Sequence, residues 1–457
     1  MKKININKFN LNLSDQINIK HPGLTDIKDK IILSGNKSKI SNFHYTRNIL
    51  LKNNIFDNNT ILYDPLLSVE FINRFDSSLG LTESDINKKH LLMKESPLKY
   101  FTMNPSLFIN DIKNQYSECS KLLKRESPQM VINGDLHLNN FGTMYNKNKK
   151  VVWGINDFDQ AGSGKPEWDI ERLSVSFILA AQELGFKKEK RIKLVEKIAD
   201  AYFENILKEY TQNDPYLTKK HSDVPVKELI EKDEENDQMS LLKKFTVKDH
   251  NNNYVFKSNH DLVSVDGQTK NKIQKSINNY FNQTIPFSDS VRPDKILDIS
   301  EKIDSGGSSY GLKRYWILSG FSDPSRSPVI LDLKEILPSP LNNNDQDKYF
   351  TQRQKILGGY LNFLTDTLIM DNKTFLIRER EDVKSRIDLN NIRKSEDLIN
   401  LAVQSSKITA RSHSYTIEQN KMLKNWLLDD KKQFSDNLIK FSFNYTEQIK
   451  KNFKAFI

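Results

Sequence analysis

Apolar and polar positions divide the chain into blocks of different period. Residues 1–90 carry short apolar runs such as Ile31-Ile32-Leu33, broken up by Asn, Lys and Asp. They predict only a short extended piece at Ile61-Leu62-Tyr63 and a helix over Leu66–Phe75. From Leu91 to Lys124 the spacing turns helical, with Leu98, Phe101, Ile109, Ile112 and Tyr116 as the apolar positions. Ser96-Pro97 offers an N-cap followed by a first-turn proline. Val131-Ile132 and Val151–Ile155 read as two strands, each running into an acidic turn, with a polar hairpin loop at Asn146–Lys150 between them. Pro166 to Leu179 is a strongly apolar helix, and helical spacing continues from Leu194 to Tyr210.

Residues 211–260 are polar and mixed in sign, including Glu231–Glu235, and predict an exposed connector or insertion. A further helix is expected within Phe256–Gln283. Between Ile296 and Leu337, two strands flank a glycine-rich turn at Asp304–Gly311, and a third strand follows at Val329–Glu335. Strand alternation puts Val329, Leu331 and Leu333 on one face of that third strand and Ile330, Asp332 and Lys334 on the other. A helix over Tyr349–Leu364, a hairpin turning at Asp371-Asn372, a helix over Leu398–His413 and amphipathic helices over Trp426–Phe456 complete the chain. The fold class is α+β. Five segments are expected: a variable N-terminal segment (1–90), a catalytic-loop core (91–215), a helical connector or insertion (216–290), a glycine-loop sheet with a helix (291–385), and C-terminal helices packing on the helical part (386–457).

A chain of 457 residues can bury a large core, and 37% hydrophobic with 28% charged residues is ordinary for a soluble globular protein. The net charge of +10 is spread along the chain without a long Lys/Arg block, as on a solvated surface. No nucleic-acid-binding motif accompanies it, so nucleic acid is not an expected partner. Cys119 is the single cysteine, which excludes an intrachain disulfide and fits a reducing compartment. It lies in a stretch read as helical, in a structural role. The N-terminal residues lack the continuous apolar core of a signal peptide, and no run approaches a membrane span. A cytoplasmic protein is expected.

The two acidic turns carry the candidate chemistry. Phosphoryl transfer needs one carboxylate to take or orient the proton of the attacking hydroxyl. An Asn a few residues later and an Asp on the next loop hold Mg²⁺ against the phosphates. Asp135 fits the base, and Asn140 and Asp157 fit the metal ligands, as hard oxygen donors suited to that ion; Asp159 is an outer-shell candidate. Asp, Asn and Gly also populate plain turns, so the joint spacing is what argues for chemistry. The turn holding Gly306, Gly307, Ser308, Ser309 and Gly311 lies between two strands, as does the loop with which kinases cover ATP phosphates. Alone it could be an ordinary hairpin. Lys334 on the following strand strengthens the phosphate assignment, against the alternative of a solvent-facing lysine on an edge strand.

Gly134–Gly142 (GDLHLNNFG) followed by Ile155–Ala161 (INDFDQA) resembles the catalytic and metal loops of the aminoglycoside-phosphotransferase branch of the protein-kinase-like fold. The chain resembles more closely the DUF2252 family of uncharacterised bacterial proteins, through Glu95–Phe101 (ESPLKYF), Gly134–Gly142, Asn156–Asp159 (NDFD), Glu167–Leu173 (EWDIERL) and the LDLKE stretch ending at Glu335. The resemblance implies a two-lobed kinase-like fold, circularly permuted because the glycine turn follows the acidic loops. It also implies ATP and Mg²⁺ as cofactors, and a buried Asp169 bracing the first acidic loop. Arg172 could pair with Asp169 or with the loop acids, and Arg378 is expected to face the cleft. His413 is expected to be packed or on the surface, and not catalytic.

Four departures stand out: Asn133 where phosphotransferases carry His, Thr102–Pro105 where the family shows Arg-Gly, Ser308 in place of a third glycine, and no Glu in 349–364 to pair with Lys334. The expected function is ATP- and Mg²⁺-dependent phosphoryl transfer to an unidentified hydroxyl acceptor, small molecules being suggested by analogy alone. The alternatives are nucleotidyl transfer in the same cleft and a catalytically silent nucleotide-binding pseudokinase. The missing Glu and Ser308 favour silence; the intact Asp135, Asn140 and Asp157 oppose it.

Overall fold

The computed structural model describes residues 63–457 except 147, 209–213, 237, 260, 283–292, 324, 342–364 and 429. The helix expected over Tyr349–Leu364 and most of segment 1–90 lie outside the described residues.

Four short helices open the described chain: α1 (Pro65–Ser78), α2 (Glu83–Met93), α3 (Pro97–Thr102) and α4 (Pro105–Lys113). Side chains cap three of them, Asp64 for α1, Thr82 for α2 and Ser96 for α3, each accepting a backbone N–H of the first turn. The helical run expected to reach Lys124 stops at Lys113. Asn114 closes it by folding its side-chain amide back onto the Asn110 carbonyl at 2.8 Å. Cys119 is therefore half-buried in a turn rather than on a helix.

Two small sheets follow. β1 (Met130–Ile132) pairs antiparallel with β4 (Gly162–Gly164). β2 (Phe141–Tyr145), β3 (Val151–Ile155) and β5 (Tyr216–Leu217) form a three-stranded sheet. Between β4 and β5 run α5 (Pro166–Glu183), buried at every residue from Pro166 to Ala181, and α6 (Lys188–Leu207). The C-terminal helices α10 (Ser395–His413), α11 (Ile417–Leu427) and α12 (Lys431–Phe456) pack on them in one continuous core. No helix among the described residues is long and apolar enough to cross a membrane.

The largest sheet is antiparallel, in the order β12 (Asp366–Met370), β13 (Lys373–Glu379), β11 (Val329–Glu335), β10 (Arg314–Gly320), β9 (Lys295–Lys302), β8 (Leu262–Ser264). Helix α9 (Gly267–Asn282) covers one face, where Ile273, Ile277 and Tyr280 meet Val329, Leu331 and Leu333. On the other face, Leu242 of α8 (Gln238–Phe245) and Phe256 of the β6 (Thr246–Lys248)–β7 (Tyr254–Phe256) hairpin pack on Trp316, Leu318 and Ile330. β11 is an interior strand, so Lys334 is not on an edge.

The stretch expected to be an exposed connector is built into both parts. β5 joins the β2–β3 sheet and β8 joins the six-stranded sheet. Between them α7 (Val226–Glu234) buries Val226, Ile230 and Asp233. Its four-residue apolar spacing is diluted by acids and lysines on the outer face, which is why charge dominates the sequence pattern there.

Candidate active site

The first acidic turn is held from beneath by α5. Asp169 in its first turn accepts the backbone N–H groups of Asn133 at 2.7 Å and Gly134 at 2.9 Å. His413 Nε2 lies 3.0 Å from the same carboxylate, and His413 Nδ1 lies 2.9 Å from the Tyr202 hydroxyl. His413 is thus fully buried as a support, packed rather than on the surface. Lys165, not Asp169, occupies the N-cap position of α5. Gly134 has φ +77, and a Cβ there would stand 2.5 Å from the Gln160 carbonyl oxygen, so both the turn and the close approach require glycine.

Arg172, one turn further along α5, resolves the choice left open by sequence. It donates to Asp135 Oδ1 from Nε at 2.8 Å and from Nη2 at 2.5 Å. The same Nη2 lies 3.3 Å from the Phe101 carbonyl oxygen, and the guanidinium carbon sits 4.5 Å from the Phe101 ring centroid. Helix α3, the ESPLKYF stretch, is therefore a backing plate for this cation. Burial pushes the Asp135 carboxyl up to about 7, while Arg172 pulls against that shift.

The second acidic turn is tied to the first. Asn140 donates its side-chain Nδ2 to the Asp135 carbonyl at 2.6 Å, its own carbonyl receives the Asn156 N–H at 2.9 Å, and Asn133 Nδ2 donates to the Asp157 carbonyl at 3.1 Å. Asn133 thus makes a bracing bond of its own. Desolvation acts to raise the Asp157 carboxyl, but Lys334, Arg386, Arg378 and Lys384 overcome it and hold the group well below the usual carboxylate range. Lys334 Nζ lies 2.5 Å from Asp159 Oδ2. Asp159 is the acid that sequence did not supply for this lysine.

These groups line one cavity of about 520 Å³. Asp135, Asn140, Asp157 and Asp159 line it together with Gly306, Gly307, Ser308, Ser309 and Lys334. Gly311 is not among the lining residues. It packs against α2 and the residue before its cap, where an added Cβ would come 3.0 Å from Asp85 Cβ and 3.1 Å from a Leu81 methyl, and its φ is +86. Its glycine is explained by that packing.

Sequence reasoning missed most of the cations in this cavity. Lys302 pairs with Asp261 at 2.9 Å, and Arg314 grips the buried Asp332 through Nε at 2.7 Å and Nη2 at 2.5 Å. Arg380 lies over the Trp316 ring, 4.4 Å from its centroid. Arg378 places Nη1 3.4 Å from the Asn156 carbonyl oxygen. Lys384 and Arg386 follow on the segment after β13. The available signal was strand register: Arg314 stands opposite Lys334, and Asp332 opposite both Trp316 and Arg378, so one sheet face carries the whole row.

That last segment is fastened to the acidic turns. Ser385 N–H donates to Thr143 Oγ1 at 2.7 Å, and the Thr143 N–H donates to the Ser385 carbonyl at 3.0 Å. Asp233 of α7 accepts the Ser385 hydroxyl at 2.7 Å and also binds the Thr143 hydroxyl.

The donor set fits Mg²⁺. The Asn140 amide nitrogen is engaged, which leaves Oδ1 as its cation-facing end, and the Asp157 carboxylate lines the same cavity. No cluster of three or more His, Cys, Asp or Glu ligands exists among the described residues. Two hard oxygen donors suit an ion completed by substrate phosphates and water. In comparisons with known proteins, a family model described as an uncharacterized protein conserved in bacteria (DUF2252) matches residues 82–457. No curated protein and no solved structure matches the chain.

Proposed function

The chain belongs to the DUF2252 family, and from that premise we propose that it is an ATP- and Mg²⁺-dependent phosphotransferase of the protein-kinase-like class acting on a hydroxyl acceptor. The observation that carries this is the shared cavity, lined both by the acids of residues 135–159 and by the glycine turn and Lys334 of residues 306–334. In this view the helical body is one kinase lobe and the six-stranded sheet the other. The order is permuted, since the glycine turn comes after the acidic turns.

The residues take separate roles. The Gly306–Ser309 backbone and Lys334 bind the nucleotide phosphates. Asn140 and Asp157 hold Mg²⁺, which when bound neutralises phosphate charge. Arg172 occupies Asp135 Oδ1, so Oδ2 is the oxygen left to face an acceptor hydroxyl. Asp135 takes the hydroxyl proton as the acceptor oxygen bonds to the γ-phosphorus. The bond from that phosphorus to the bridging oxygen breaks, and its electron pair leaves with ADP. A carboxyl raised to about 7 is matched to general-base work near neutrality. The Lys334–Asp159 pair also weakens the case for a silent protein, because the lysine does not depend on a helix Glu for an acidic partner.

The test is calorimetry and turnover on the full chain. Asp135→Ala should bind a non-hydrolysable ATP analogue and transfer nothing; Asp157→Ala should lose Mg²⁺-linked binding. Product mass separates phosphoryl from nucleotidyl transfer. Absence of any Mg²⁺-linked adenylate binding by the unaltered chain would end the proposal.

A further inference from the structure

Resting on the phosphotransferase proposal, we infer that the acceptor itself carries a phosphate group, seated on Arg378, Lys384 and Arg386. The parts a phosphoryl-transfer cleft needs for its nucleotide are complete without these three: a glycine turn, Lys334, two metal donors and a base. Most other cations of the cavity already have partners. Lys302 has Asp261, Arg314 has Asp332, Lys334 has Asp159, and Arg380 rests on Trp316. Arg378 has only a distant acid, with its Nε 3.9 Å from Asp332. Among the described residues no carboxylate stands within ion-pair distance of Lys384 or Arg386.

They line the cavity beside His137 and the second acidic turn. Arg386 is near enough to His137 and Asp157 to act on both, and Arg378 reaches the carbonyl just before Asp157. His137 in turn lies 3.9 Å from Asp135 Oδ1, so Arg386 reaches the neighbour of the base. Arg378 beside it, together with burial, holds the Lys384 ammonium well below its usual range, a like-charge conflict that an anion would relieve. Two guanidinium forks and an ammonium suit the dianion of a phosphate monoester better than a single carboxylate.

The experiment titrates inorganic phosphate into the full chain saturated with Mg²⁺ and a non-hydrolysable ATP analogue. Saturable binding is expected. Arg386→Gln and Lys384→Gln should each weaken it about tenfold, the loss of one charge-assisted bond, and weaken nucleotide binding less than phosphate binding. Arg386 is exposed, so its replacement should leave the thermal melt unchanged and report on binding alone. Phosphate that displaces the analogue would assign the cations to the triphosphate and overturn the inference. Acetate binding as tightly as phosphate, or no phosphate uptake by the nucleotide complex, would do the same. Failure of the analogue itself to bind would remove the phosphotransferase proposal, and the acceptor assignment with it.

Discussion

Asp169→Asn is the sharpest perturbation of the support beneath the first acidic turn. The wild-type carboxylate accepts two buried backbone N–H groups, from Asn133 at 2.7 Å and Gly134 at 2.9 Å. Asparagine keeps the shape but has one acceptor oxygen, and it turns an NH₂ group toward a donor. A charge-assisted bond is worth roughly 1.5–3 kcal/mol, and a buried N–H left without an acceptor costs roughly 1–3 kcal/mol. These losses overlap, so the expected destabilisation is about 3 kcal/mol. Urea denaturation should show a lower midpoint at unchanged slope. Thermal melts should fall by roughly 6–12 °C, at about 2–4 °C per kcal/mol for a chain longer than a small domain. Gly134 directly precedes Asp135, so turnover should drop while nucleotide affinity holds, the signature of a positioning residue. A loss below about 1 kcal/mol would refute the assignment, because the two amides would then have other acceptors.

Gly134→Ala should destabilise by about 2 kcal/mol or more in the same denaturation experiment, from the positive φ and the approach to the Gln160 carbonyl together. Arg172→Met removes the cation that pulls Asp135 down, so its carboxyl, already near 7, moves higher. A base works only when ionised, so the rising limb of the pH–rate profile should shift to higher pH; an unmoved limb would contradict the pairing. The stability deficit of this variant should also grow as pH rises, where Asp135 ionises without a partner, and shrink as pH falls and it protonates. Lys334→Met should weaken binding of the nucleotide analogue about tenfold or more in calorimetry, since it removes the proposed phosphate ligand and strands Asp159.

Legibility in the sequence followed locality. Asp135, Asn140 and Asp157 were readable because they flank one short hairpin, and Lys334 because strand alternation separates it from Leu333. Asp169 was readable through the EWDIERL resemblance alone. Arg314, Lys384 and Arg386 were not, because their convergence depends on strand register and on a chain return that no local period encodes. The pairing of Lys334 with Asp159 joins residues 175 positions apart, and the sequence pattern around each is an ordinary polar one. The end of the helical run after Lys113 was missed because apolar spacing continues through Tyr116 although the backbone does not. Residues 226–234, read within a connector or insertion, form α7, and its packing was not legible because its buried positions are few and its charges many.

The knot of Thr143, Asp233 and Ser385 has a mechanical consequence. It rivets the chain leaving the large sheet to β2, the first strand of the hairpin flanked by Asn140 and Asp157, with one acid serving both hydroxyls. A second fastening lies at the glycine turn, where Gly311 packs against α2 and Lys88 pairs with Asp304 at 3.2 Å, so the chain from the turn to Ser385 is tied to the helical part at both ends.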